Sequence, residues 1–481
     1  MLKYGLIVFL IVGLMISLRS QQPGTGLLFE DESYDEVARQ PDYGQKGGAD
    51  TIFKIDLKPF CPKPINQGPF STCTGWSVGY ASHTIQHAIL NDWEGQTDKI
   101  TENAFSAFFL YNQIKESPGC AEGTYITKAL ELMRDKGNVF SKSFDEAGCE
   151  KLPEAGDLLI AQKYRINDFR RLFDRESPPR EKITAVKQSL IDQKPVVIGM
   201  QLKQNFLDLR GQEWWFPDLG NSPILPMGHA MSVIGFDDGK GNAGGAFQIM
   251  NSWGPTWGDG GFIWVNYDDF AKYCKYGFQF SVAPTEIQKV DLVGKVNCRF
   301  AKVVGEEVSF SNVKATLKGN TYALSGRTWK KDDIFQLQVY DVTAERFMYA
   351  FSYDPDGNIN LHWPRDGKLD NKFQGRHESS VIISRDIFLT LPEESTAIEL
   401  LKPGLEQICF LFSPTPIPDL NEKLKKIQNQ GANLSKAVYD TFGDQLLLPE
   451  KIAYTPQYMG YWASKRYSDK IVPVFMQIKV E

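Results

Sequence analysis

Four side chains in this sequence could together run nucleophilic chemistry: Cys73, His229, Asn251 and Gln67. A thiol becomes a good nucleophile when a base takes its proton, the base needs an orienting partner, and the anionic intermediate needs hydrogen-bond donors. The stretch Asn66-Gln67-Gly68-Pro69-Phe70-Ser71-Thr72-Cys73 supplies the thiol and an amide donor six residues before it. Gly228-His229-Ala230 supplies the base, and Asn251-Ser252-Trp253-Gly254 an amide to orient it. A lone cysteine is usually a small buried hydrophobe and a lone histidine usually structural. The four together favour acyl transfer through a Cys73 thiolate.

The elements that must position these groups can be read from local pattern. Four prolines between Lys58 and Pro69 (Pro59, Pro62, Pro64 and Pro69) enforce an extended approach. From Thr74 the apolar residues Val78, Ala81, Ile85 and Ile89 recur at helical spacing, which places Cys73 at a helix N-terminus. There the helix dipole and a neighbouring imidazolium lower a thiol pKa to between roughly 3.5 and 7.5, so the thiolate is expected at neutral pH. Further helices are expected over Glu102 to Lys115 and Tyr125 to Lys136, the second ended by Gly137. Beyond Pro195 short β-rich runs take over: Val196 to Met200, Ala230 to Phe236, Ala246 to Met250 and Gly261 to Asn266. A helical half carrying the thiol and a β half carrying the imidazole put the site in the cleft between them.

These residues resemble the papain family of cysteine peptidases, in its secreted bacterial form, over roughly Asp56 to Pro284. The resemblance rests on Gln67 with Cys73, on Gly228-His229-Ala230, and on Asn251-Ser252-Trp253-Gly254 followed by Trp257-Gly258-Asp259-Gly260-Gly261. It implies an α+β, two-lobed papain-like fold, catalytic roles for Cys73, His229, Asn251 and Gln67, Trp253 covering the His229–Asn251 bond, and no cofactor. Gly228, Trp253, Gly123 and Glu122 are the implied substrate-binding residues. Cys120-Ala121-Glu122-Gly123 stands where the family has Cys-Asn-Gly-Gly; it keeps the glycine that lets a substrate backbone approach, while Glu122 either favours basic groups nearby or points to water. Phe70 stands where many members have a bracing cysteine, and Thr74 where tryptophan is familiar.

Size and composition frame this reading. The 481 residues, 42% hydrophobic and 23% charged, suffice for two domains. A net charge of -6 without a long Lys/Arg run argues against a nucleic-acid partner. Met1 to Ser20, with Lys3 and an apolar run from Leu6 to Ile16, has the layout of a secretory signal peptide. Export to a periplasmic, cell-surface or extracellular location is expected, with no stable membrane span after cleavage; an uncleaved anchor is the alternative. Export permits disulfides; of the seven cysteines, Cys73 is the natural odd one, and Cys120 with Cys149 is the one pairing expected.

The domains read as a signal peptide over 1–20, a flexible, solvated arm over 21–50, a peptidase domain over 51–288, and a β-rich C-terminal domain over 289–481. The last is marked by alternation in Phe335-Gln336-Leu337-Gln338-Val339, the turn Asp354-Pro355-Asp356-Gly357, the Ile408 to Phe412 run, a helix near 419–430 and a closing strand from Ile471 to Val480. It loosely resembles a β-rich domain of bacterial envelope proteins. It carries no chemistry of its own, so substrate binding or a cell-surface ligand is its expected role. His83 and His87, four apart on a helix, could be a metal pair, but without a third ligand a structural role is favoured; His362 and His377 read as solvated.

The expected activity is hydrolysis of peptide or protein substrates as a cysteine endopeptidase. Two alternatives stand beside it: an exopeptidase, its cleft narrowed by Asn205 to Met227, and a non-enzymatic scaffold that kept the fold.

Overall fold

The computed structural model describes residues 24–41, 44–45, 52–241, 244–282, 290–305, 307–382, 384–431, 433–455 and 459–481. The expected signal peptide and its cleavage region lie outside the described residues. Among the described residues no helix is long and apolar enough to cross a membrane.

The architecture is α+β. Residues 73–161 are mainly helical, and a sheet follows in the spatial order Ile166–Arg171, Cys274–Val282, Val196–Met200, His229–Asp237, Ala246–Met250, Phe262–Asn266, with Lys54–Asp56 also pairing to His229–Asp237. Every pairing in that sheet is antiparallel. Both faces are covered, which explains the unbroken apolar runs: Val196–Met200 and Ala246–Met250 are buried throughout.

The helix expected over Glu102 to Lys115 is two helices, Thr97–Glu102 and Phe108–Ile114. The interruption is stabilised by side chains. Ser106 Oγ accepts from the Phe109 N–H at 2.8 Å and donates to Asp145, starting the second helix, while Phe105 forms a bridge to Phe140. The helix Ile126–Asp135 stops before Gly137, whose φ of +89° suits a residue without Cβ. The strand Ile166–Arg171 and the helix Pro179–Ile191 add to the expected elements; the helix has its sequence signal in Pro179 at the first turn and in Ile183, Val186 and Leu190 at helical spacing.

The C-terminal region is mainly β. One sheet runs Ile387–Leu391, Ile334–Tyr340, Leu292–Val304, Gly460–Ala463, Ala453–Thr455; a second runs Thr316–Lys318, Thr321–Ala323, Val472–Val480, Gly404–Ser413, Arg346–Tyr353, Ile359–Trp363. They share one apolar core that includes Cys298, Leu337, Val339, Phe410 and Val474. The turn at Asp354 to Gly357 closes a hairpin, with Asp354 Oδ1 accepting from the N–H groups of Asp356 and Asn358. Gln336 and Gln338 are buried rather than solvated, and Gln336 Nε2 donates to the carbonyls of Glu393, Glu394 and Thr396. The expected helix is Leu420–Asn429, followed by an unanticipated second helix, Leu434–Phe442.

The arm differs most from expectation. Residues 24–41 are not loose: Asp31–Glu36 is a helix, and Tyr34 within it is fully buried, stacked on Tyr276 with ring centroids 4.4 Å apart. Its hydroxyl donates to the Phe173 carbonyl at 2.7 Å, and Arg175 pairs with Asp31 and Asp35. The acidic residues that made the segment look solvated are ion-paired along one edge, and one aromatic residue supplies the burial.

Candidate active site

Cys73 is the first residue of a continuous helical run over 73–90, α-helical over Cys73–Gly75, π-helical over Trp76–His83 and α-helical again over Thr84–Leu90. Gly75 is needed for packing: a Cβ there would lie 2.3 Å from the Ala107 carbonyl oxygen, so only glycine lets the helix sit directly on that backbone. Trp76 Nε1 donates to Thr72 Oγ1 at 3.1 Å and fixes the turn into the helix.

His229 and Asn251 come from neighbouring antiparallel strands. His229 begins its strand and Asn251 directly follows the end of Ala246–Met250, so the pairing brings both to the same edge. His229 Nε2 lies 2.7 Å from Asn251 Oδ1, and the Trp253 ring covers this pair with its centroid 4.6 Å from that of the imidazole. Gln67 is fixed on the other side: its backbone N–H donates to the Ser252 carbonyl at 2.8 Å and its Oε1 accepts from Ser252 Oγ at 2.5 Å. Gln67 Nε2 is thereby turned toward the cleft. The Ala230 N–H donates to Cys73 Sγ at 3.5 Å. The structure thus brings Cys73, His229, Asn251, Gln67 and Trp253 together.

The cleft is occupied by the chain's own arm. The Gly24 carbonyl accepts from Gln67 Nε2 at 3.1 Å and from Trp253 Nε1 at 3.0 Å. Leu27 and Gly228 exchange two main-chain hydrogen bonds of 3.1 Å, the Thr124 N–H donates to the Gly26 carbonyl at 2.9 Å, and the Leu28 N–H donates to the Thr124 carbonyl at 3.1 Å. Leu27 is buried against Gly199 and Tyr276, and Phe29 lies over Gly228. Gly123 and Gly228 therefore form the two walls, and a Cβ on Gly123 would stand 2.1 Å from the Gly26 carbonyl oxygen. Glu122 is exposed, with its backbone carbonyl held by the Tyr111 hydroxyl at 2.6 Å.

Burial beneath the arm sets the electrostatics. It pushes the Cys73 thiol up to about 11, against the pull of the Ala230 and Gly26 N–H groups and the Thr74 hydroxyl. It also pushes His229 down to about 4, against its bond to Asn251. Among the described residues His229 Nδ1 has no hydrogen-bond partner. In this covered state the pair is neutral, unlike the thiolate expected from a helix N-terminus alone, because removal of water outweighs the nearby donors.

Sequence reasoning missed the arm, Ser252 as the holder of Gln67, and Thr74 as a donor to the sulfur. The arm did leave a signal. Gly24 and Gly26 flank one residue just before the apolar triplet Leu27-Leu28-Phe29, and Cβ atoms at these glycines would lie 2.1 Å from the Phe70 carbonyl oxygen and 2.3 Å from that of Ser71. The expected disulfide between Cys120 and Cys149 is present.

The other singled-out histidines have structural partners. His83 is buried and stacked on Phe105 at 3.7 Å, His87 packs edge-on to Trp93 and Phe105, and among the described residues no group of three side chains could hold a metal. His362 and His377 are not simply solvated. His362 lies 3.0 Å from Ser352 Oγ with burial driving its pKa down to about 3, and His377 pairs with Asp366 at 3.0 Å.

A thiol on a helical lobe facing an imidazole–amide pair on a β lobe defines a papain-like domain. Residues 107–282, which include His229 and Asn251, match the family described as papain family cysteine protease, and this part of the chain is papain-like. The chain is 30% identical over 112 residues to a ragweed protein, Cysteine protease Amb a 11.0101 of Ambrosia artemisiifolia, covering 23% of this chain and 27% of that one. It is 28% identical over 184 residues to Falcipain-3 of Plasmodium falciparum, covering 36% of this chain and 35% of that one. It thus spans about a third or less of these curated relatives. Among solved structures it is similar to xylellain, a cysteine protease from Xylella fastidiosa, with a TM-score of 0.43 at 20% identity, covering 55% of this chain and 97% of that one. Procathepsin L2 of Tenebrio molitor larval midgut gives a TM-score of 0.44 at 14% identity, covering 56% and 81%.

Proposed function

We propose that this protein is an exported cysteine endopeptidase whose cleft is held closed by its own N-terminal arm. One observation carries the reading: an extended peptide, the arm itself, lies beside Cys73, bound through its main chain to Gly228 and Thr124 with a carbonyl on the Gln67 donor. A cleft that binds peptide backbone at a thiol is suited to cutting peptide bonds.

In the open enzyme His229 Nδ1 takes the Cys73 proton, and the sulfur attacks the scissile carbonyl carbon. Gln67 Nε2 and the Cys73 N–H donate to the oxyanion. The C–N bond breaks as His229 returns the proton to the leaving amine, which leaves a thioester on Cys73. Water, deprotonated by His229, then attacks the thioester carbon; the C–S bond breaks, the carboxylic acid product leaves, and His229 returns the proton to the Cys73 sulfur. Asn251 holds the imidazole throughout, and Trp253 shields that bond. Gly123 and Gly228 hold the substrate main chain, while Glu122, exposed at the rim, favours basic groups. Export is supported by the Met1 to Ser20 pattern and by the Cys120–Cys149 disulfide. A binding or localisation role fits the C-terminal domain.

An exopeptidase is the second reading, favoured by Met227, whose methyl would stand 3.0 Å from a Cβ on Gly123 and so narrows the cleft.

The test uses a Gly26→Leu variant, which cannot seat its arm against the Ser71 carbonyl. It is expected to hydrolyse leucine-containing peptides blocked at both termini, and the Gly26→Leu/Cys73→Ser double variant is not. Cleavage only of peptides with a free terminus would favour the exopeptidase. Equal turnover by the double variant would refute a Cys73 enzyme.

A further inference from the structure

The arm does not end its contacts in the cleft. Residues 38–40 pass between the two domains as a strand bonded on both sides. Toward the peptidase domain, the Arg171 N–H donates to the Ala38 carbonyl at 3.0 Å and the Gln40 N–H donates to the Arg171 carbonyl at 2.7 Å. Toward the C-terminal domain, the Arg39 N–H donates to the His377 carbonyl at 2.8 Å and the Ser379 N–H donates to the Arg39 carbonyl at 2.9 Å. This alternation is that of a strand with two neighbours. Gly44 and Gln45 then pair antiparallel with Phe388 and Ile387, extending the C-terminal sheet by one strand.

The receiving surface is held by ion pairs within the C-terminal domain: Glu378 is buried between Arg365 at 2.7 Å and Arg376 at 3.1 Å, and Arg365 also reaches Glu393 at 2.8 Å. Edge strands with unpaired main chain capture extended peptides, and the affinity comes from main-chain bonds. The arm's tenancy in the cleft is different in kind: 24–29 is a short extended piece near glycines, with Leu27 as its deeply buried side chain.

We propose that the C-terminal domain is the keeper of the arm: it holds 38–40 against 377–379 and takes Gly44–Gln45 as an added strand, and thereby keeps 24–29 over Cys73. This deepens, and rests on, the reading of an arm-blocked cysteine peptidase. The β-rich domain thus gains a function, an interaction surface whose partner is a segment of the same chain. A cut between arm and peptidase domain alone leaves the cleft closed. In the unsubstituted chain, lasting release of the arm requires 38–40 and Gly44–Gln45 to leave the C-terminal domain.

The test uses the full chain with a site-specific protease sequence in place of residues 46–50. After the cut, arm retention is read by size exclusion and intact mass. The cut protein is expected to keep its arm, Ser379→Ala to behave likewise, and Ser379→Pro, which lacks the N–H to Arg39, to shed the arm at least tenfold faster. A synthetic peptide of residues 37–46 is expected to displace the arm from the cut protein, and a scrambled peptide is not; this arm of the test stands even if Ser379→Pro fails to fold. Immediate loss of the arm from the unsubstituted cut protein, equal retention by a folded Ser379→Pro, or equal displacement by both peptides would overturn the proposal. Retention is measured without catalysis. A freed cleft that showed no Cys73-dependent hydrolysis would count against the peptidase reading and leave the retention result standing.

Discussion

The Gly24 carbonyl oxygen lies 3.1 Å from Gln67 Nε2, so the donor proposed to meet a reacting oxyanion is already satisfied by the chain's own backbone. A substrate carbonyl has to displace this bond and the one from Trp253 Nε1 before it can be polarised. On the proposed mechanism, arm occupancy and catalysis therefore exclude each other.

Substituting Gly26 by a larger residue should open the site without harming the fold. A Cβ there meets the Ser71 carbonyl at 2.3 Å, and the clash is relieved by ejecting the short segment rather than by moving the nucleophile helix. Gly26→Leu is expected to raise the rate of Cys73 alkylation by iodoacetamide at least tenfold, while the melting temperature of the C-terminal domain stays unchanged.

Acid should also favour opening. In the covered state His229 sits at about 4, below its ordinary value near 6.5. A base with a depressed pKa stabilises the covered state above 6.5, and that stabilisation is lost as pH falls from about 6.5 to 4, where the hydrated imidazole of the open state takes up a proton. The open fraction should rise by up to roughly tenfold per pH unit in this window and level off below it. Hydrogen exchange at the Leu27 and Leu28 amides, followed against pH, reads this directly; a flat profile contradicts it.

Tyr34 is the arm's main side-chain anchor on the peptidase domain. Tyr34→Phe removes the hydroxyl that donates to the Phe173 carbonyl at 2.7 Å and accepts from the Gly277 N–H at 3.3 Å. Leaving those buried groups unpaired costs about 1 to 3 kcal/mol. Exchange at Leu27 and Leu28 should accelerate correspondingly, with peptide hydrolysis by an already opened variant unaltered.

In a Gly26→Leu background the supporting groups should separate kinetically. Gln67→Ala removes an oxyanion donor and is expected to lower kcat by roughly 10² to 10³. Asn251→Ala frees the imidazole to rotate and is expected to lower kcat as well, with a displaced acidic limb in the pH profile of kcat/KM. Unchanged pH dependence would show that Asn251 does not orient His229.

The candidate site was legible because its chemistry constrains residue types at fixed places: Gln67 before Cys73, His229 opening a strand, and Asn251 closing the next. The strands about it were legible for a simpler reason, since residues such as Val196 to Met200 are buried on both faces and read as unbroken apolar runs. What was not legible depended on partners distant in sequence. The arm looks solvated because Asp31 and Asp35 meet Arg175, and Tyr34 meets Tyr276, only after folding. Gln336 looks like a surface residue in an alternating strand because the carbonyls that satisfy it come from 393–396. The break before Phe108 is invisible locally because it is held by Asp145.

The central claim is that Cys73 is the nucleophile of a peptidase and that the arm covers it. Labelling with an epoxide inhibitor of thiol peptidases, followed by peptide mapping, tests both parts at once. We expect no modification of the arm-covered chain and stoichiometric modification at Cys73 alone in the Gly26→Leu variant. Modification spread over other cysteines, or none at Cys73 in a folded, opened protein, would contradict the account.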